Sequence, residues 1–198
     1  MKLVMATSNS GKILEMRDKF SDIPGLVLIP LDTYENPPAI IEDGATFHEN
    51  AHKKATGAAE FTGLASMADD SGLVIDALDG YPGIFSARFG GENVSDNDRN
   101  MMILEKMRGV PIDRRGARFV CVIAIAVPGG RCHYSVGRCE GFIADAPRGS
   151  NGFGYDPIFY LPDRGKTMAE LAIEEKNKIS HRAKALEAAK ELLRSLCV

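Results

Sequence analysis

The sequence has no surplus of positive charge: its formal net charge is −3 over 198 residues. Duplex nucleic acids are gripped mainly through phosphate neutralisation by Lys and Arg, so this balance excludes a global nucleic-acid footprint. Local basic residues remain available for a small anion. Long apolar runs are also lacking. None approaches the ~20 residues that cross a bilayer, and Met1-Lys2-Leu3-Val4-Met5-Ala6 reads as a short strand and not as a signal peptide. Cysteine is sparse. Cys121, Cys132, Cys139 and Cys197 form no C-x-x-C pair and no zinc-finger spacing. A reducing, cytoplasmic setting with unbridged thiols is the simplest expectation. No internal repeat, low-complexity segment or clear linker appears, so residues 1–198 read as a single domain. The Walker A pattern G-x-x-x-x-G-K-[ST] is absent as well.

Against these absences stands Ala68-Asp69-Asp70-Ser71-Gly72, flanked by the apolar-leaning runs 64–68 and 73–75. Adjacent carboxylates repel, so a buried pair needs a cation or shares a proton. Hard oxygen ligands suit Mg²⁺ or Mn²⁺ better than zinc. The pair is therefore a candidate site in which Asp70, helped by Asp69, holds a metal and activates water against a phosphate. A solvated Asp-Asp turn would have the same local sequence.

Other segments carry related signals. Leu3-Val4-Met5-Ala6 reads as a strand, Thr7-Ser8-Asn9-Ser10-Gly11-Lys12 as a polar turn, and Ile13 to Phe20 as a helix. A helix N-terminus offers N–H groups and a positive dipole end, which suits phosphate; an ordinary Ser/Asn cap is the plainer reading. Leu26 to Ile29 is the next strand, and residues 31–45 form a loop whose candidate functional acid is Glu42. Thr46 and Glu49 have capping-box spacing and open a helix ended by Gly63. On it, Asn50 and Lys54 share a face. His48 and His52 are also four apart but have no third ligand nearby, and read as surface residues. The glycine-rich stretch 79–91 is a shaped loop in which Arg88 binds phosphate or pairs with an acid. Ser95 to Asp98 cap a helix carrying Met101, Met102, Leu104 and Met107. Phe119 to Val127 reads as a strand buried on both faces, followed by a partner strand over about 132–139. In Gly152-Phe153-Gly154-Tyr155-Asp156-Pro157, glycines let the backbone approach a ligand while the ring supplies a stacking face; an anchored turn is the alternative. Thr167 to Glu170 is a second capping box. The last helix turns Leu186, Ala189, Leu193 and Leu196 inward and places His181 and Arg182 in its first turn. Cations are disfavoured there by the helix dipole, which suggests an anion or a base carbonyl as partner.

Six of these motifs, in this order, resemble the Ham1/inosine triphosphate pyrophosphatase family, the bacterial dITP/XTP pyrophosphatases. They are Thr7-Ser8-Asn9-x-Gly11-Lys12, Glu42-x-Gly44-x-Thr46-Phe47-x-Glu49-Asn50-Ala51, Ala68-Asp69-Asp70-Ser71-Gly72-Leu73, Gly80-x-Pro82-Gly83-x-x-Ser86-Ala87-Arg88, Gly152-Phe153-Gly154-Tyr155-Asp156-Pro157 and Lys176-x-x-x-Ser180-His181-Arg182. The resemblance runs from about residue 3 to 190. It implies a mixed α/β fold with a long central mixed β-sheet, flanking helices and two lobes around a substrate cleft, in a homodimer. It implies hydrolysis of dITP, ITP and XTP to the monophosphate and pyrophosphate, with Mg²⁺ as cofactor and Mn²⁺ as a substitute. Thr7, Ser8, Asn9, Ser10, Gly11 and Lys12 would hold the triphosphate. Glu42 and Asp70 would bind the metal, and Asp70 would also accept the proton of the attacking water. Ser71, Phe153, Gly154, Tyr155, Asp156, Lys176, His181 and Arg182 would contact substrate, with Phe153 stacking on the purine. Asp69, Asn50, Lys54 and Arg88 would support the site. Donors that pair with a 6-oxo group are left unpaired against adenine, a difference worth up to ~10⁴ in selectivity. A Maf-like pyrophosphatase of other specificity is the alternative enzyme, against which Phe153 and Ser180-His181-Arg182 argue. A nucleotide-binding module without turnover is the non-enzyme alternative.

Overall fold

Leu3, Val4 and Met5 are fully buried in a computed structural model of the chain, which describes residues 1–91 and 93–196, Leu196 by its backbone alone. Cys197 and the inward side chain expected of Leu196 lie outside the described residues. The buried triplet belongs to β1 (Lys2–Met5), which pairs in parallel with β2 (Val27–Pro30) on one side and β3 (Ala65–Ile75) on the other. Parallel neighbours need crossovers, and the helices α1 (Ser10–Phe20) and α2 (Phe47–Thr62) supply them. Strands β4 (Gly116–Ala126), β5 (Cys132–Ile143), β6 (Phe159–Leu161) and β7 (Lys166–Thr167) complete a seven-stranded sheet in the order β2-β1-β3-β4-β5-β6-β7. β5–β6 and β6–β7 are antiparallel, so the sheet is mixed, as expected. The remaining helices are α3 (Asp96–Lys106), α4 (Ile173–Ile179) and α5 (His181–Leu196).

Local chemistry explains the boundaries. The Thr46 hydroxyl accepts the Glu49 N–H at 3.1 Å, and α2 stops where Gly63 turns left-handed at φ 67°. β4 is buried at every position from Phe119 to Ala126, which its unbroken apolar run demands. Gly129 and Gly130 sit in the turn between β4 and β5, where the Gly130 N–H bonds the Val127 carbonyl at 2.9 Å.

The chain forms two compact units. The first comprises Met1–Asp70, Cys121–Gly137 and the segment from Arg182 onward. Its core is built from Leu3, Met5, Met16, Phe20, Met67, Ile123, Ile125, Leu186, Ala189 and Leu193. The second comprises Ser71–Val120 and Arg138–His181, with a core of Leu73, Ile75, Ile103, Met107, Phe119, Ile143, Tyr155, Ile158, Phe159 and Met168. Of the methionines expected on this helix, Met107 is the C-cap of α3 and enters the core, whereas Met101 and Met102 are exposed and Ile103 takes the inward position. Cys121, Cys132 and Cys139 form no disulfide among the described residues.

Candidate active site

In the first unit β1 has β2 on one side and β3 on the other, so the sheet order reverses at its carboxyl end, the place where open α/β sheets bind ligands. β3 outruns β1 there: the register ends at Met5↔Met67, and Asp69 and Asp70 follow two and three residues later. The two carboxylates do not form a turn. They lie inside the unbroken strand Ala65–Ile75, and successive side chains of a strand point to opposite faces. The repulsion between neighbours is thereby reduced, and each carboxylate meets a different set of partners.

Asp69 faces cations. Its carboxylate lies 2.8 Å from Lys12 Nζ and 3.6 Å from Arg182 Nε, with its side chain wholly buried. Burial alone would push its pKa up. The charges of Lys12, Arg182 and Lys54 outweigh that cost and hold it below the ordinary carboxylate range. Arg182 is itself buried and pairs with Glu15 at 2.9 Å. The basic first turn of α5 therefore finds anions within the protein. Glu15 was not singled out in the sequence. Its one signal is helical spacing, since it follows Lys12 by three residues on α1; the partner lies 167 residues away.

Asp70 faces the opposite set. It is nearly buried, and Asn50 Nδ2 donates to its Oδ2 at 3.0 Å. Burial raises its pKa, Glu42 and Asp69 add to the rise, and Lys54 and Asn50 oppose it. Lys54 Nζ is 2.5 Å from Glu42. Four consecutive loop residues are each tied to one residue of α2: Glu42 to Lys54 at 2.5 Å, Asp43 to Lys53 at 2.6 Å, Gly44 N–H to Asn50 Oδ1 at 2.8 Å, and Ala45 N–H to Glu49 at 2.7 Å. Asn50 thus connects the Glu42 loop to Asp70. A Cβ on Gly44 would stand 2.7 Å from Asn50 Oδ1, so glycine is required for that contact.

The turn between β1 and α1 completes this part. Asn9 caps α1, accepting the Lys12 N–H at 3.1 Å, and no acid occupies the first helical turn. Ser8, Asn9 and Ser10 are exposed, whereas Thr7, Gly11 and Lys12 are half-buried. A cavity of about 310 Å³ opens here, lined by Thr7, Ser8, Lys12, Pro38, Glu42 and Lys54 among others. Among the described residues no three His, Cys, Asp or Glu side chains gather into a metal cage. Hard carboxylate oxygens such as those of Glu42 and Asp70 are the donor type of Mg²⁺, which is held by one or two carboxylates and completes its shell with water and substrate phosphates. The raised pKa of Asp70 beside Glu42 is a second fit: these carboxylates crowd each other and gain from an added cation.

The second unit carries Ser71, Arg88, Phe153 to Asp156, Lys176 and His181. Phe153 is 43% exposed, and Lys176 Nζ lies 4.5 Å from its ring centroid. Asp156 Oδ2 accepts both the Phe153 N–H at 3.0 Å and Lys176 Nζ at 2.5 Å. Tyr155 is buried, and its hydroxyl donates to the Ser86 carbonyl at 2.8 Å. His181 stacks on Phe119 with ring centroids 4.8 Å apart. Ser71 is half-buried, and Arg88 is exposed with its guanidinium 5.1 Å from the Phe85 ring centroid. His48 and His52 are exposed in the first unit, each near the Tyr134 ring.

The chain matches the model of the Ham1 family over residues 3–192. It is 50% identical to the dITP/XTP pyrophosphatase of Desulforamulus reducens, over 100% of this chain and 98% of that one. It is 48% identical to the dITP/XTP pyrophosphatase of Geobacter sulfurreducens, over 97% and 96% of the two chains. Its fold is similar to that of a HAM1 protein from Coxiella burnetii, with a TM-score of 0.93 and 44% identity over 98% of this chain and 99% of that one. The Staphylococcus aureus Ham1 protein gives a TM-score of 0.90 and 40% identity at the same coverage. The resemblance read from the six motifs is borne out.

Proposed function

The chain belongs to the Ham1 family, and from that membership we propose that it hydrolyses non-canonical purine nucleoside triphosphates, dITP, ITP and XTP, to the monophosphate and pyrophosphate. The substrate is a small-molecule nucleotide, and the role is to clear deaminated purines from the nucleotide pool. No helix among the described residues is long and apolar enough to cross a membrane. We place the enzyme in the cytoplasm as a homodimer of single pyrophosphatase domains.

The observation that carries this reading is Asp70: a buried carboxylate with a raised pKa, held by Asn50, in the same unit as a lysine-lined cavity at a helix N-terminus. A raised pKa brings the carboxylate closer to neutral pH, where a general base accepts a proton most effectively. In this reading Asp70 orients water and takes its proton as the oxygen attacks the α-phosphorus. Glu42 and Asp70 would hold Mg²⁺, for which Mn²⁺ could substitute; the ion when bound would supply positive charge for the phosphate oxygens and the pyrophosphate leaving group. Thr7 to Gly11 donate to the triphosphate, and Lys12 and Lys54 add positive charge. Asp69 anchors Lys12 and Arg182 from behind. Phe153 stacks on the purine, Lys176 and Asp156 support that ring, and His181 and Arg182 read the base edge. Ser71, Gly154, Tyr155 and Arg88 shape their surroundings.

The test is pyrophosphate release from dITP, XTP, ATP and GTP, each with and without Mg²⁺. Metal-dependent release with strong preference for dITP and XTP is expected. Equal rates on ATP, or orthophosphate as the first product, would refute the reading.

A further inference from the structure

The acidic start of α3 does two separate jobs. Capping falls to Ser95, whose hydroxyl accepts the Asp98 N–H at 3.1 Å and donates to Asp98 Oδ2 at 2.7 Å. Asp96 is not needed for the cap. Its Oδ2 accepts the backbone N–H of Gly154, 58 residues further along the chain, at 2.8 Å. One helical turn after Asp96, Asn100 Nδ2 donates to the carbonyl of the same glycine at 3.0 Å. Residues four apart share a helix face, so one face of α3 holds both backbone polar groups of a single residue, Gly154. Asn100 is 2% exposed and committed to this contact, and Asp96 is steadied by Arg99, 3.4 Å away. Gly154 makes the arrangement possible by adopting φ 63°, a left-handed backbone that side-chain-bearing residues resist.

Its neighbour is Phe153. The Phe153 N–H bonds Asp156 Oδ2 at 3.0 Å, and the Phe153 carbonyl accepts the Asp156 N–H at 3.4 Å. All four backbone polar groups of the Phe153–Gly154 pair are therefore engaged, while the residue Phe153 stays 43% exposed. An aromatic side chain partly exposed on so constrained a backbone, with Lys176 Nζ 4.5 Å from its ring centroid, suits a preorganised stacking surface.

We propose that Asp96 and Asn100 are positioning residues for base recognition: acting through Gly154, they fix the loop that presents Phe153. This rests on the assignment of Phe153 as the platform for the purine. Loss of the clamp leaves the ring in place but lets it wander, so base binding suffers while the chemistry does not.

The experiment compares Asp96→Ala with Asp96→Asn. Alanine removes the acceptor, and asparagine keeps an acceptor oxygen while removing the charge. KM for dITP is expected to rise about five- to tenfold in Asp96→Ala, the effect of losing one ordinary hydrogen bond, with kcat little changed. Asp96→Asn is expected to restore a KM near wild type. The inhibition constant of inorganic tripolyphosphate, which has no base, is expected to stay constant in both. Amide hydrogen exchange over residues 151–156 is expected to quicken in Asp96→Ala only. An unchanged KM in Asp96→Ala overturns the proposal, and so does unchanged exchange. A parallel rise in KM and in the tripolyphosphate constant overturns it by showing general loosening. Asp96→Asn as impaired as Asp96→Ala overturns it by showing that charge and not the bond matters. Absence of dITP turnover in the wild type removes the proposed function instead, and hydrogen exchange then still decides the clamp.

Discussion

Asp69→Asn isolates one charge at constant shape. The Asp69 side chain is wholly buried, 2.8 Å from Lys12 Nζ and 3.6 Å from Arg182 Nε, and these two partners are only 18% and 4% exposed. Removing one member of a buried ion pair costs about 3–5 kcal/mol, because the remaining charge is left buried and uncompensated. Arg182 keeps Glu15 at 2.9 Å, and Lys12 retains some contact with water, so the lower end applies, about 3 kcal/mol. For a chain of this size that corresponds to a fall in Tm of roughly 6–12 °C. Urea unfolding at pH 7, with an unchanged m value, measures it. The sign with pH is fixed. The folded pKa of Asp69 is depressed, so its contribution is fully present above the unfolded value near 3.9 and lost as pH falls through the folded pKa. The gap between wild type and variant must therefore narrow in acid. A difference below about 1 kcal/mol at pH 7, or a gap that widens as pH falls, would refute the electrostatic account of Asp69.

Four further outcomes follow from the same geometry. Asp70→Asn is expected to abolish pyrophosphate release yet raise Tm in EDTA, because the ionised carboxylate is opposed by burial, Glu42 and Asp69; a lower Tm would contradict this. Phe153→Ala is expected to weaken binding by about 1–3 kcal/mol, the range for a lost base stack, seen as a higher KM where KM tracks binding. Gly44→Ala places a Cβ 2.7 Å from Asn50 Oδ1 and is expected to cost about 1–3 kcal/mol in thermal unfolding and to raise the Mg²⁺ concentration needed for half-maximal activity. Glu15→Gln is expected to leave Arg182 in place but less restrained, eroding the preference for dITP over dATP; unchanged selectivity would show that Asp69 alone orients the guanidinium.

Short-range signals were legible in the sequence. Thr46, Glu49 and Gly63 bound α2 because capping is decided within a few residues. The buried run of β4 and the inward face of α5 at Leu186, Ala189 and Leu193 follow from hydrophobic pattern alone. The shared face of Asn50 and Lys54 was readable from helical spacing, and both side chains reach acids, Asp70 and Glu42. Less was legible where partners are distant or segments short. A solvated turn at Asp69-Asp70 has the same local sequence, yet β3 runs straight through the pair to Ile75. β7 has only two residues, too few to show a period. Asp96 reads locally as part of a helix cap, and only tertiary structure shows it reaching Gly154. Family resemblance supplied what spacing could not, the identity of the triphosphate substrates.

The central claim is that water, activated by Asp70, attacks the α-phosphorus. Hydrolysis of dITP in ¹⁸O-labelled water with Mg²⁺, followed by mass spectrometry of both products, tests it directly. The account predicts one labelled oxygen in dIMP and none in pyrophosphate. Label in pyrophosphate, or in released orthophosphate, would contradict it.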